Sequence, residues 1–510
     1  MSKGQNVGDG YTATLERIRA QGKDRARLGM EAIMWIAYSE RPLGPGELCQ
    51  ALSVEIGSTD LDNDNAPSIR TILNCGLGLV TVDSSSSKAR LVHFTLQEHI
   101  IAKPTLFCTP HSMIAEVCLT YLNFRYIRDL PPDLDPLPPT TPFLKYSSHY
   151  WGVHAGRQPP TSVISLGLNL LDGFDAHISC GLLLGWEFHD SNGWGWKSSD
   201  GPLNCTALHA GAFLGVPEIM DSLLKMDKWD LNAVDRNGRT ALMCAAEVRH
   251  GAIVKMLLEL EGVNPDIVDY SGRTALSRAA ENGDEGIMEM LLERNDINPD
   301  TADIYGRTPL SWAAGGGCEK IVRALLERND VNADTADRDG KGPFTCAIRP
   351  RFMAQGTEEE RERVVKILLE RNDVNPDSAD KSGRTPLSWA ASSGFAGVLR
   401  MLLERNDVNP ARTDNRGRAP LSWVSMDKRE KIEGMLPILQ WNDAHPNTAD
   451  ESSQTLFPWA AGNGWRRADP GQVEPHDLPS KPGLGEGLSW RFTTDPTTLP
   501  EPPFKKVRRL

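Results

Sequence analysis

The sequence lacks the parts that several function classes require. No stretch approaches ~18 consecutive apolar residues, so no membrane-spanning helix is expected. The opening segment MSKGQNVGDGY has no apolar core for a secretory signal. The nine cysteines are scattered and odd in number. They form no Cys-x-x-Cys pair, which excludes a disulfide framework or zinc cluster built on paired spacing. They read as reduced, mostly buried thiols of an intracellular protein. There is no Gly-x-x-x-x-Gly-Lys-[Ser/Thr] phosphate loop, no His-Glu-x-x-His helix and no Gly-x-Ser-x-Gly elbow, so those three chemistries lack their residues. Basic residues are the minority: 55 Lys and Arg face 68 Asp and Glu, a net charge of −13, a poor balance for holding phosphate backbones.

What the 510 residues do have is a period. TALHAGA begins at Thr206, TALMCAA at Thr240, TALSRAA at Thr274, TPLSWAA at Thr308 and GPFTCAI at Gly342. TPLSWAA returns at Thr385, APLSWVS follows at Ala419 and TLFPWAA at Thr455. The first five starts are each 34 apart; the later steps are 43, 34 and 36. Each unit opens with Asp-x-x-Gly-Arg, as at 269–273, 303–307 and 380–384, a tight-turn signal. Thr308 then caps a helix with Pro309 in its first position, where the missing N–H costs nothing. Leu310, Ala313 and Ala314 form a small-residue face on this short helix. After the Gly315–Gly317 break, Ile321, Val322, Leu325 and Leu326 stripe a second helix.

This grammar resembles the ankyrin repeat: a turn, a short Thr-Pro-Leu helix, a glycine hinge and an apolar second helix. The tetratricopeptide repeat shares the period but has two long helices and no such turn. Stacking is expected to bury faces that a single unit cannot. Only His209 matches the His that follows Thr-Pro-Leu in the common motif; Ser277, Ser311, Ser388 and Ser422 stand elsewhere. The unit from Asp337 is longer, with Pro350 stopping its first helix and 357–363 starting its second early. Glu359 and Arg363 are expected to pair there. Pro437 breaks the unit from Asp414.

The first part reads differently. An amphipathic helix is expected over 25–39, a second from Pro45 and a third from Pro67. Strands follow at 79–82 and 90–95, and a Thr95–Glu98 capping box opens the next helix. Three helices and a hairpin suggest a winged helix-turn-helix. As a DNA reader it would need cations, and only Arg70, Lys88 and Arg90 are available. Further helices are expected from Ser112, over 143–152 and over 162–171. They flank 129–142, which carries six prolines. His149 and His154 are five apart, off one helical face, so neither a metal nor a cofactor is expected.

In order, ARLGMEAIMWIAYSERPLGPGELCQAL (26–52), GLVTVD (78–83), VHFTLQEH (92–99), EVCLTYLNF (116–124) and YSSHYWGVHAG (146–156) resemble the segment after the nucleotide-binding core of fungal NACHT–ankyrin proteins. These are NLR-like members of the STAND ATPases. The resemblance implies a winged-helix domain of the GPI inositol-deacylase type followed by ankyrin repeats. It also implies a chain that starts after the NACHT NTPase core.

The expected fold is mainly α: a winged helix-turn-helix plus a helical linker region, then an ankyrin-repeat solenoid. The expected segments are 1–24, a remnant of a preceding helical segment; 25–105, the winged helix; 106–198, a helical linker or cap; 199–465, about seven repeats plus a partial one; and 466–510, a disordered Pro-rich tail. The expected function is non-enzymatic capture of a protein partner. Candidates on the turn tips are Arg236, Asn237, Tyr270, Ile304, Tyr305, Arg338, Lys381 and Arg416, with Trp312 and Trp389 in the groove. Units 235–413 hold 30 acids and 24 bases, which favours a mildly basic partner. Nucleic acid, membrane and small-molecule substrate are not expected. A regulatory or decoy role beside a separate NACHT protein, in non-self recognition or cell death, is the alternative, and a winged-helix DNA regulator the weaker one. The expected location is cytoplasmic; the terminal KKVRR also suits a nuclear signal.

Overall fold

A computed structural model describes residues 3–62, 66–157, 159–186, 204–349 and 356–424. The expectations for Pro350, Pro437, the partial unit at Thr455 and the tail 466–510 with its basic run lie outside these residues. The described chain is mainly α.

Helices α1 (Lys3–Arg19), α2 (Lys23–Tyr38), α3 (Pro45–Ala51) and α4 (Ile69–Cys75) precede the hairpin of β1 (Val80–Asp83) and β2 (Lys88–Leu91), and α5 (Phe94–Ile101) follows. The strands are antiparallel, Val80 facing Leu91 and Asp83 facing Lys88. Helix α2 is apolar on two sides. Leu28, Trp35, Leu48 and Ile72 cluster on one. Ile33 and Ala37 cluster on the other with Leu15 and Ile18 of α1, Leu79, Leu96 and Ile100. Helix α1 is therefore part of this body's packing.

Three local expectations are corrected. The third helix is capped by Ser68, whose hydroxyl accepts the Thr71 N–H, one residue after Pro67. The second strand stops at Leu91 because α5 starts earlier than Thr95 suggests. Its cap is His93, whose ring accepts the Thr95 N–H. The Thr95 hydroxyl is instead 2.9 Å from Tyr11 Oη of α1.

Helices α6 (Pro110–Leu122), α7 (Arg125–Arg128), α8 (Leu144–Ala155), α9 (Thr161–Leu171) and α10 (Ile178–Trp186) form the next layer. The last of these was not anticipated. Buried Gln50 joins this layer to the first body: its Oε1 accepts from Tyr121 Oη at 2.9 Å and Phe143 N at 3.0 Å, and its amide donates to Thr140 O. Trp35 meets Phe143 edge-on at 5.5 Å. Gly152 lets α8 press against Leu214 of the first repeat; a Cβ there would lie 2.8 Å from a Leu214 methyl.

Helix pairs then stack: α11 (Ala207–Leu214) and α12 (Pro217–Leu224); α13 (Ala241–Glu247) and α14 (Gly251–Leu258); α15 (Ala275–Asn282) and α16 (Glu285–Leu292). They continue as α17 (Pro309–Gly316) and α18 (Glu319–Leu326); α19 (Pro343–Ile348) and α20 (Glu358–Leu369); α21 (Pro386–Ser393) and α22 (Ala396–Leu403). A 3-10 turn, Pro420–Trp423, closes the described part. Ala245, Ala279, Ala313 and Ala390 are each wholly buried, so the first helices touch through their small faces. The side chains of Thr240, Thr274, Thr308 and Thr385 cap these helices by accepting the N–H three residues on. Helix α20 does start early, on a Thr357–Glu360 capping box. Arg363, however, pairs at 2.9 Å with Glu319 of the preceding unit and not with Glu359, because the stacked neighbour reaches it first.

Candidate functional site

The turn between units is built by one carboxylate. In each Asp-x-x-Gly-Arg or Asp-x-x-Gly-Lys segment, Asp Oδ1 accepts the N–H groups two and four residues on. For Asp303 these are Tyr305 N at 2.8 Å and Arg307 N at 2.9 Å; for Asp380 they are Ser382 N at 2.9 Å and Arg384 N at 3.0 Å. The glycine takes φ of +75° to +81° from Gly238 to Gly383, a region that L side chains avoid. Each tip is then tied to the one before. Tyr270 N donates to Asn237 O, Ile304 N to Ser271 O, Arg338 N to Tyr305 O and Lys381 N to Asp339 O, at 2.7–3.0 Å. The tips form one hydrogen-bonded row.

On that row Tyr270 is 74% exposed, Tyr305 54% and Ile304 41%, with Val234 and Val268 beside them. Arg338, Lys381 and Arg416 are exposed, while Arg236 and Asn237 are half-buried.

The tryptophans do not present bare rings. Trp312 is only 5% exposed, beneath Arg273 and Arg307, whose guanidinium carbons lie 4.5 and 4.3 Å from its ring centroid. A partner entering the groove there meets cations first. Trp389 lies between Arg349 at 4.9 Å and Arg384 at 3.6 Å, and Trp423 between Arg384 at 3.6 Å and Arg418 at 3.7 Å. Burial between the two rings brings Arg384 down to about 10. Acids hold the arginines in place: Arg307 pairs with the buried Asp303 at 2.6 Å and Arg418 with Asp414 at 3.0 Å. Sequence reading found the tryptophans and missed this ladder. The signal was there: the offset from Arg307 to Trp312 recurs in Arg384–Trp389 and Arg418–Trp423.

A second cluster lies at α6 and α8. Ligand atoms of Glu40, His111 and His154 converge within 4.8 Å of one another. Arg157 lies 2.9 Å from Glu40 and 2.8 Å from His111 Nε2, and His111 Nδ1 lies 2.8 Å from His154 Nδ1. Burial pushes His154 down to about 3 and His111 to about 4, with Arg157 adding to both. His154 also bonds Tyr146 Oη at 2.9 Å. The network reads as a neutral hydrogen-bonded joint. His149 is apart from it, bonded to the Lys145 carbonyl.

On the winged helix, Lys88 lies 3.8 Å from Glu47 and Arg90 3.3 Å from Asp83. Of the three candidate DNA contacts, only the exposed Arg70 lacks an acid partner among the described residues. All nine cysteines are free thiols, and no helix among the described residues is long and apolar enough to cross a membrane.

Residues 180–269, 253–339 and 352–450 match the family model for ankyrin repeats in three copies, together about half of the chain. Residues 15–106 match the model described as GPI inositol-deacylase, winged helix domain. Among solved structures, EF0377, an ankyrin repeat protein, is 23% identical over 39% of this chain and 97% of its own, with a TM-score of 0.36. The ankyrin repeat domain of Bcl-3, a member of the IkappaB protein family, is 22% identical over 48% of this chain and 100% of its own, with a TM-score of 0.38. No curated protein matches the chain.

Proposed function

The chain belongs to the ankyrin-repeat family, and we propose from this premise that it is a non-enzymatic module whose array captures a protein partner. One observation carries the reading: Tyr270, Ile304 and Tyr305 stand exposed on adjacent tips that are hydrogen-bonded into a single row. Their backbone is fixed in advance, so binding orders only the side chains and their burial converts to affinity at a reduced ordering cost. The test is affinity capture with the full chain and with a Tyr270→Ser, Ile304→Ser, Tyr305→Ser variant. Loss of captured proteins from a folded variant supports the module reading; an unchanged set overturns it.

The finer reading is a member of the fungal NLR-like proteins; its alternative is a regulatory or decoy role beside a separate NACHT protein. It is supported by the order of a winged helix at 15–106 before the repeats. Nine free thiols suit a reducing compartment, so a cytoplasmic location belongs to the same proposal. A thermal shift with ATP or ADP tests the alternative: a rise in melting temperature shows that these residues bind nucleotide themselves and contradicts reliance on a separate NACHT protein.

A further inference from the structure

One side chain per unit occupies the position between the closing cation of the preceding turn and that of its own turn. Trp312, Trp389 and Trp423 fill it with an indole, Trp389 having the Lys341 ammonium at 5.7 Å as its preceding cation. In α15 the position holds Arg278, which pairs with Asp269 at 2.6 Å and Glu247 at 3.1 Å. In α13 it holds Cys244, fully buried, while Arg239 of that unit stacks on Phe213 at 4.9 Å. In α19 it holds Cys346, and the closing residue of that turn is Lys341 where its neighbours have arginine. Here the rung is missing. A cavity of about 180 Å³ opens between Trp312 and Cys346, walled by the cations Arg307, Arg338, Lys341 and Arg349 and by Asp337 and Asp339.

The size and the charge of this space define its occupant. A cavity of ~150 Å³ accepts a benzene ring, so this somewhat larger and partly open one accepts an aromatic side chain. Its walls include the Arg307 guanidinium and the Lys341 ammonium, and such cations attract the face of a ring. The local charge is positive within an array that is acidic as a whole. Asp339 is taken by Lys341 at 2.7 Å, and Asp337 Oδ1 by its own turn. Exposed Arg338 and Arg349 have no carboxylate within ion-pair distance among the described residues. A cationic occupant is repelled, and an acid beside the ring finds two forked donors.

We propose that this gap between Arg307 and Lys341 is a docking pocket for an aromatic side chain of the partner, flanked there by acidic residues, the incoming ring completing the interrupted ladder. The pocket rests on the reading of the array as a protein-binding module and names the chemistry of what it takes. It reverses the mildly basic partner expected from net charge, because the charge that matters is the local one.

The test is fluorescence anisotropy on the full chain with a labelled peptide bearing one central tryptophan between paired glutamates. The controls replace the tryptophan by alanine, or the glutamates by lysines. Binding is expected for the first peptide and at least tenfold weaker for both controls. Cys346→Trp, which rebuilds the rung from within, is expected to weaken binding tenfold or more, and Cys346→Ala to leave it intact. Arg338→Glu, an exposed change, is expected to weaken binding of the acidic peptide alone. No binding at millimolar peptide overturns the proposal. Equal binding by a folded Cys346→Trp protein, or by the lysine peptide, does the same. If Cys346→Trp fails to fold, the Arg338→Glu result decides. Capture of cellular partners that survives Cys346→Trp but is lost in the Tyr270, Ile304, Tyr305 variant leaves the module reading standing and removes the pocket.

Discussion

The guanidinium carbon of Arg384 lies 3.6 Å from the ring centroid of Trp389. The same group lies 3.6 Å from Trp423 of the next unit, so one cation joins two repeats through two π faces. Each such contact is worth about 1 kcal/mol, more when desolvated. Arg384→Ala is expected to lower stability by about 2 kcal/mol in urea titration. Arg384→Lys should recover less than half, because an ammonium has no planar face to stack. Full recovery by lysine would show that charge alone is responsible.

Gly306 has φ of +80°, and a Cβ there would lie 3.1 Å from Arg338 N, the donor of the next tip bond. Gly306→Ala is expected to cost about 2 kcal/mol, from the left-handed backbone and the disturbed bond together. Gly286→Ala is the control. It sits in α16 with nothing nearer than 3.7 Å and should be neutral or stabilising by up to about 1 kcal/mol. Equal effects at the two sites would refute the argument.

Stability should fall as the solution is acidified from about pH 6.5 toward pH 4. Burial holds His154 at about 3, His111 at about 4 and His177 at about 4 in the folded chain. The unfolded chain titrates near the ordinary value of about 6.5. Between these limits it binds protons that the folded chain refuses, so the stabilisation present above pH 6.5 is lost as pH drops. His177 Nε2 is 3.0 Å from the Leu122 carbonyl and its Nδ1 accepts from Ser179 N. His177→Asn should therefore make the pH dependence shallower. Melting temperatures from pH 7.5 to 4.5 check this; a flat profile contradicts it.

Ile18 of α1 is fully buried against Ile33, Leu96 and Ile100. Ile18→Ala is expected to cost about 3 kcal/mol, within the range for buried aliphatic truncation. A change below about 0.5 kcal/mol, measured by chemical denaturation, would mean that α1 is detached in solution.

The repeats were legible because each of their devices is local. Asp303, Gly306 and Thr308 each serve a backbone group within four residues, so the pattern is visible in one line of text. The first body was less legible where distant residues intervene. Thr95 has the spacing of a cap, but Tyr11 and the His93 ring share its hydroxyl and His93 takes its place. Glu40, His111 and His154 have no shared period; only folding brings them together. Sequence reading placed Trp312 and Trp389 in the groove and did not foresee that turn arginines cover their faces. That covering needs two units in register, which no single repeat displays.

Every tip hands its carbonyl to the next in the same way, and the segments beginning at Thr308 and Thr385 are letter-for-letter the same over seven positions. A recombination event joining one to the other would remove whole units and still leave a junction with donor and acceptor matched. The row can therefore be shortened by whole units with its tip-to-tip bonding rule unbroken, so its length is not fixed by the chemistry of any one tip.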